Sequence, residues 1–269
     1  MSHRGKHQSA REEHSSHSAQ EPAPSPAAAP ADEFPSEHRK GLLPELYFRW
    51  RGGEITRLEA FCDVVFGFAL TLLVVSLEVP HNYKELIAVM RGFLPFAVCF
   101  AQLILIWRTH YVFSRRYGLE DPYTVFLNVV LLFLVLFYVY PLKFVFTLVF
   151  SQLTGGEALQ PMSVHEASML MRIYAGGFAA VFLLFGLMYA HAYRLRGPLG
   201  LNEAEALQTR AEISSNAILV ATGVISFLLA ILHPEWAGWW FFVIGPVLAV
   251  NGAIYGKRIR LLSEGAHRK

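Results

Sequence analysis

The chain of 269 residues is 54% hydrophobic and 14% aromatic, but only 16% of its residues are charged. This composition excludes an ordinary soluble domain and indicates an integral membrane protein. The formal net charge of +2 gives no indication of a nucleic-acid partner. Both cysteines, Cys62 and Cys99, fall in apolar stretches, so no disulfide framework is predicted.

The first 40 residues are rich in Ser, Ala, Pro, Glu and His and lack the apolar content of a folded core. We therefore predict a disordered cytoplasmic tail over 1–40, a transmembrane domain over 41–256 and a short basic C-terminus over 257–269. No signal peptide is predicted, because no apolar run lies near Met1. The histidines of the tail are irregularly spaced, which favours a solvated tract over a metal site.

Apolar stretches long enough to cross a membrane occur six times. A hydrocarbon core of about 30 Å requires roughly 20 apolar residues in a helix. The sequence thus predicts an all-α membrane protein with six spans. The predicted spans are about 60–80, 93–113, 124–149, 168–193, 213–232 and 237–256.

Basic residues are concentrated in alternate connections between these spans. The connections on the opposite side contain only two basic residues, Lys84 and Arg91. The positive-inside rule therefore places both termini in the cytoplasm of a multi-pass cell-membrane protein. The basic residues on the predicted inner side are Arg49, Arg51, Arg57, Arg108, Arg115, Arg116, Arg194, Arg196, Arg210, Lys257, Arg258 and Arg260.

The first span contains an apolar stripe with a single hydroxyl group. At about 100° per residue, its members lie within about 60° of one azimuth. Asp63 points nearly opposite to them. Geometry alone fits a bundle core at least as well as an ion pathway, so both interpretations stay open at this point. The members of the stripe are Val64, Phe68, Thr71, Leu72 and Val75.

Two polar groups of this span each allow two interpretations. Asp63 lies where charge is costly, which favours a latch between helices over ion contact or proton transfer. Arg57 is about 120° away on the helix and cannot be its partner. Thr71 either bonds back to the carbonyl four residues earlier or faces an ion. Candidate partners at the depth of Asp63 are Trp107, His110, Asn128, Asn216 and Asn251.

Signatures of several other membrane functions do not occur in the sequence. No stretch resembles the TVGYG filter of conventional potassium channels, and no helix carries the arginine series of a voltage sensor. Secondary transporters often contain helices broken by Gly or Pro, and here only Pro141 and Pro246 faintly indicate such breaks. No cluster of residues predicts catalysis, a metal site or a cofactor, so an enzyme is not expected.

The segment "RLEAFCD" resembles the RxxxFSD signature of the transmembrane-protein-175 potassium-channel family. Arg57, Phe61 and Asp63 match the signature, and Cys62 stands at the position of its serine. The continuation "VVFGFALTLLVVSLEVP" resembles the family's first helix, and "WRTHYVF" resembles the end of its second. The resemblance covers about residues 54–256.

This resemblance implies a homotetramer with a central pore lined by the first helices. It implies potassium as the permeant ion and no cofactor, with an apolar constriction at Phe68, Leu72 and Val75 and the Thr71 hydroxyl contributing to selectivity. Phe68 is bulkier than the Ile or Leu usual in the family. The signature network, which the family uses structurally, falls on Arg57, Phe61, Cys62, Asp63, Trp107 and His110.

The resulting hypothesis is a potassium-selective or potassium-preferring leak channel in the lipid bilayer. One alternative is a six-helix secondary transporter or proton-coupled carrier that uses Asp63 and His110. A second alternative is a non-conducting membrane scaffold. Glu78, near the outer end of the first span, is expected either to raise the local cation concentration or to be a solvated residue at the helix end.

Overall fold

A computed structural model describes residues 48–53, 55–75, 79–154 and 162–266. Six of the described helices are long and apolar enough to cross a membrane, which confirms the predicted number of spans and the all-α fold. The predicted tail over 1–40 and Glu78 lie outside the described residues. The helices are α1 (Arg57–Val75), α2 (Tyr83–Arg91), α3 (Phe93–Tyr117), α4 (Pro122–Thr154), α5 (Val164–Arg194), α6 (Glu203–Leu232), α7 (Pro234–Ala237) and α8 (Ile244–Ala266), with a 3-10 turn at Trp239–Val243.

Two features of the helices differ from the hydropathy pattern. The short helix α2 was not predicted, because its nine residues are too few and too polar to register as a span. Asn82 caps it by accepting a hydrogen bond from the amide of Glu85 at 3.0 Å. Helix α8 continues to Ala266, ten residues beyond the predicted end at 256, because hydropathy reports the membrane boundary and not the end of the helix.

The described helices form one continuous bundle, in which the contact between α4 and α5 joins α1 and α3 to α6 and α8. Helix α1 packs mainly against α3 and α4, whereas α5 and α6 form the most extensive pair and α8 packs on α6. Gly223 permits the close approach of α5 and α6, since a Cβ atom there would lie 2.8 Å from the Cβ atom of Ala179. Large apolar side chains such as Phe133 on α4, which is 71% exposed, cover the outside of the bundle and suit contact with lipid.

We call the end of the bundle where α1, α4 and α6 begin and α3 and α5 end the basal end. Helix α1 begins there because Thr56 accepts a hydrogen bond from the amide of Glu59 at 3.1 Å. Helix α3 ends at Gly118, whose φ of 56° is left-handed and favours glycine. Helix α6 begins with a capping box between Asn202 and Glu205.

Asp121 fastens α4 to α5 at the basal end. Its carboxylate accepts hydrogen bonds from the amide and hydroxyl of Thr124 and lies 3.1 Å from Nε2 of His191. Burial raises the pKa of Asp121, but the hydrogen bonds from Thr124 and the contact with His191 outweigh it, so the pKa lies below the usual value of 3.8.

This lowered pKa predicts an acid-sensitive contribution to stability. Because the folded-state pKa is below the unfolded one, the contribution is complete above about pH 4 and is lost as pH falls through the folded-state pKa. Asp121→Asn is therefore expected to reduce the loss of thermal stability in detergent on acidification from about pH 6 to pH 3. The control is Glu120→Gln at the exposed neighbouring position. An acid response of Asp121→Asn identical to that of the unmodified chain would contradict the assignment.

Candidate functional site

Helix α1 has one face buried in the bundle and the opposite face exposed. The buried residues follow one another at steps of three and four, which places them along a single stripe. Along the exposed stripe, Phe68 is 61% exposed and Val75 is 72% exposed. The buried residues are Glu59, Cys62, Phe66, Ala69 and Leu73. The exposed residues are Arg57, Ala60, Phe61, Val64, Gly67, Phe68, Thr71, Val74 and Val75.

The predicted stripe coincides with this exposed face except at one edge. Val64, Phe68, Thr71 and Val75 are exposed, whereas Leu72 is half-buried at the margin. The face is thus apolar over most of its length and is not covered by the described residues of its own chain. Such a face in a membrane bundle contacts lipid or another protein chain.

Thr71 is the hydroxyl residue of this exposed face. Its Oγ1 donates a hydrogen bond to the carbonyl of Gly67 at 2.9 Å, so the expected back-bond is present. A hydroxyl oxygen that has donated its proton still has two lone pairs. Since the side chain is exposed, this oxygen is available as an acceptor, or as a ligand for a cation, on the apolar stripe.

Asp63 lies on the flank of α1 and is half-buried. Its Oδ1 accepts a hydrogen bond from the indole Nε1 of Trp107 on α3 at 2.8 Å. The Trp107 ring in turn stacks on Tyr111, with 5.7 Å between ring centroids. The structure therefore pairs Asp63 with one of the partners expected from the sequence, in a bond that joins α1 to α3.

His110 belongs to a second, separate contact between α3 and α4. Its Nε2 lies 2.7 Å from Oδ1 of Asn128, and the Asn128 amide donates to the carbonyl of Thr124 at 2.9 Å. The ring of His110 also packs against Phe66 of α1, with centroids 5.6 Å apart. Its Nδ1 has no hydrogen-bond partner among the described residues. His110 is thus buried where three helices meet.

Of the remaining signature residues, Cys62 is buried, whereas Arg57 and Phe61 are exposed. Cys62 is a free thiol on the buried face of α1 and is completely buried. Arg57 and Phe61 lie on the exposed face, and the described residues include no hydrogen-bond or ion-pair partner for Arg57. Within one chain, the structure therefore brings Asp63 to Trp107 and Phe66 to His110, but leaves Arg57 and Phe61 facing outward.

The contacts of the residues that precede α1 were not predicted from the sequence. Residues 48–53, which we call the basal strap, run along the basal end and contact α3, α6 and the connection between α5 and α6. Their arginines indicated only the orientation of the chain in the membrane. The available signal was the alternation of aromatic and basic residues in "FRWRGG", since such side chains form cation–π contacts.

Comparison with known proteins identifies the family. A family model described as the endosomal/lysosomal potassium channel TMEM175 matches residues 57–138. A protein of Marivirga tractuosa named "Potassium channel" is 37% identical over 241 residues, which cover 83% of this chain and 96% of that protein. The chain belongs to the TMEM175 potassium-channel family. This TMEM175 chain is also 29% identical over 147 residues to a potassium channel of Chamaesiphon minutus, covering 52% of this chain and 66% of that one.

Solved TMEM175 structures share the fold. A variant of the potassium channel MtTMEM175, in complex with a Nanobody-MBP fusion protein, matches 81% of this chain and 99% of its own with a TM-score of 0.70 and 36% identity. A homolog of the lysosomal potassium-selective channel TMEM175, from Chamaesiphon minutus, matches over 72% of this chain and 95% of its own with a TM-score of 0.51. At 24% identity, this second match supports the fold alone. The family-matched residues 57–138 contain the α1 stripe and both polar contacts.

Proposed function

We propose that this TMEM175 chain is the subunit of a potassium-selective leak channel in the cell membrane. Four copies surround a central axis, and each contributes the exposed stripe of α1 to the pore. The basal end and both termini are cytoplasmic, and potassium is the permeant ion. The observation that carries the proposal is the exposed, apolar, single-hydroxyl face of α1 in a chain whose relatives are named potassium channels.

The apolar part of the stripe forms the gate. Four copies of Phe68, Leu72 and Val75 would line a narrow passage that offers no ligands to a cation. An ion that loses its hydration there without replacement ligands meets a high barrier, and water itself leaves a sufficiently narrow apolar passage. Conduction therefore requires the helices to separate or rotate until a hydrated path forms.

Thr71 supplies the selectivity element in this proposal. Its hydroxyl proton is held by the Gly67 carbonyl, so four Oγ1 atoms around the axis present lone pairs to the ion. They replace part of the hydration shell at one level of an otherwise apolar passage. The two alternatives for Glu78, a residue that raises the local cation concentration or a solvated residue at the helix end, stay predictions.

The polar contacts of α1 orient the helix. Within the chain, Asp63 is hydrogen-bonded to Trp107, and His110 is hydrogen-bonded to Asn128. These bonds favour a structural role that holds the helices together over the proton-coupled site of a transporter. The channel is preferred over a transporter or a scaffold because the relatives are named potassium channels. Native mass spectrometry tests the assembly, with complexes of four 30.3-kDa chains expected. A purely monomeric protein that is active in membranes would contradict it.

Thr71→Ala is expected to lower the permeability ratio of potassium to sodium several-fold. The physical reason is the loss of one oxygen ligand per subunit, since a single such contact contributes about 1 kcal/mol net. Thr71→Ser retains the hydroxyl and should retain most of the selectivity. Thr109→Ala is the matched control, because Thr109 makes the same 2.9 Å back-bond on α3. Equal selectivity of all variants in bilayer recordings would remove Thr71 from the pore.

A further inference from the structure

A buried carboxylate at the basal end is held by four donors. Glu205, at the start of α6, has a side chain that is only 1% exposed. Its two oxygens accept hydrogen bonds from the guanidinium of Arg51 at 3.1 and 2.7 Å, forming a bidentate ion pair. The amides of Arg49 and Asn202 complete the set at 2.8 and 3.0 Å. All four donors come from the backbone or from the fixed fork of one guanidinium, so the geometry is well defined.

Arg51 also binds the connection between α5 and α6. Its Nε donates to the carbonyl of Leu199 at 2.7 Å, and its Nη2 donates to the carbonyl of Gly200 at 3.0 Å. The planar guanidinium of arginine suits this arrangement, because it has five donors in a rigid fork that lysine lacks. One side chain therefore ties the basal strap to both the α5–α6 connection and the first turn of α6.

The strap is anchored to the end of α3 as well. Phe48 is buried, packs edge-on against Tyr117 and lies 5.2 Å from the Arg116 guanidinium carbon. The amide of Gly52 donates to the carbonyl of Arg115 at 3.1 Å. A Cβ atom on Gly52 would lie 3.1 Å from the carbonyl oxygen of Ser114, so the strap approaches α3 as closely as a glycine allows.

This strap leads directly into the helix proposed to line the pore. Arg51 lies six residues before Arg57, the first residue of α1. Even fully extended, those residues span at most about 22 Å. Helix α1 itself packs mainly on α3 and α4, and α4 packs on α5, so α1 is otherwise joined to the α5–α6 pair mainly through α4. The strap is thus a short tether between the start of α1 and the α5–α6 pair.

We propose that Arg51 and Glu205 are positioning residues that hold the basal end of each pore helix away from the channel axis. This inference rests on the proposed pore function of α1. Four exposed apolar stripes facing a water-filled passage favour mutual contact, because contact removes apolar surface from water. The tether opposes that collapse by fixing the start of α1 to the α5–α6 pair, which is not part of the pore wall. Loss of the pair shifts the channel toward its closed state.

The decisive experiment is single-channel recording of Arg51→Gln, Glu205→Gln and the double variant in planar bilayers. Each single variant is expected to lower the open probability about fivefold or more, within the usual range of coupling between sites. The double variant should lose little more than either single one, because both act through the same pair. The potassium-to-sodium permeability ratio should be unchanged, since no pore residue is altered. Arg51→Lys should be intermediate, as it keeps the charge and loses the fork.

Two matched controls distinguish the pair from general charge effects. Arg49→Gln keeps the backbone amide that donates to Glu205 and removes only an exposed charge. Glu203→Gln likewise removes an exposed charge from the first turn of α6, and both variants should leave the open probability unchanged. Open probabilities of Arg51→Gln and Glu205→Gln that equal or exceed that of the unmodified channel would overturn the proposal. Absence of conduction by the unmodified protein would instead contradict the proposed function. The contacts of the strap would then be tested by hydrogen exchange.

Hydrogen exchange on the unmodified tetramer tests the tether without any variant. The amides of Arg49 and Gly52 are bonded to Glu205 and Arg115, so both should exchange far more slowly than an unstructured peptide. Exchange of both amides at the unprotected rate would overturn the proposal, even if the variants fail to fold.

Discussion

Phe68→Ala is expected to raise the single-channel potassium conductance about tenfold, because a barrier lowered by about 1.4 kcal/mol raises a rate tenfold. Four phenylalanine rings at one level of the pore form the bulkiest part of the proposed constriction. Their removal widens the passage and lets the ion keep more of its hydration shell. Planar-bilayer recording of the purified protein is the measurement, with flux into liposomes as a second readout.

A second exposed phenylalanine provides the matched control. Phe133 lies on α4 and is 71% exposed, slightly more than Phe68 at 61%. Phe133→Ala removes the same side chain from the outer surface and should leave conductance unchanged. Equal conductance of the unmodified, Phe68→Ala and Phe133→Ala channels would mean that the α1 stripe does not limit conduction.

Asp63→Ala is expected to destabilise the folded protein by about 1–3 kcal/mol, because it leaves the Trp107 indole donor without its acceptor. The bond in question is 2.8 Å long and joins α1 to α3. Asp63→Asn retains a carbonyl oxygen at the same position and should cost less. Thermal unfolding of the purified protein in detergent measures both effects.

A double-mutant cycle assigns the effect to this bond. Trp107→Phe removes the donor, so adding it to Asp63→Ala should cost less than the sum of the two single changes. Additive costs would show that Asp63 stabilises the protein through some other group. A variant with normal stability, normal assembly and a changed ion preference would place Asp63 in the ion pathway and contradict its assignment as a fastener.

The spans and the exposed stripe of α1 were predictable because each depends on residues within one helix. Hydropathy identified six spans, and helical geometry placed Val64, Phe68, Thr71 and Val75 on one face. Periodicity does not give the exposure of each side chain, which the structure supplies. This face of the helix is exposed, and Leu72 lies at its edge. The sequence alone could not distinguish a core from a pore, because both require apolar residues at the same helical spacing.

The pairings between helices were harder to predict, since they depend on how the helices pack. Asp63 had five candidate partners at the right depth, and only the fold selects Trp107. The tether was not predicted at all, because Arg51 and Glu205 are far apart in sequence and each looks like an ordinary charge near a membrane boundary. Helix α2 was missed because it is held by a local cap at Asn82 and not by a long apolar run.

The most direct test of the central claim is potassium flux through the purified chain in liposomes under a potassium gradient alone. We expect flux down the gradient that requires no coupled ion, is faster for potassium than for sodium, and increases in Phe68→Ala. Absence of flux at every pH and voltage tested, or flux that occurs only with a gradient of a second ion, would contradict it.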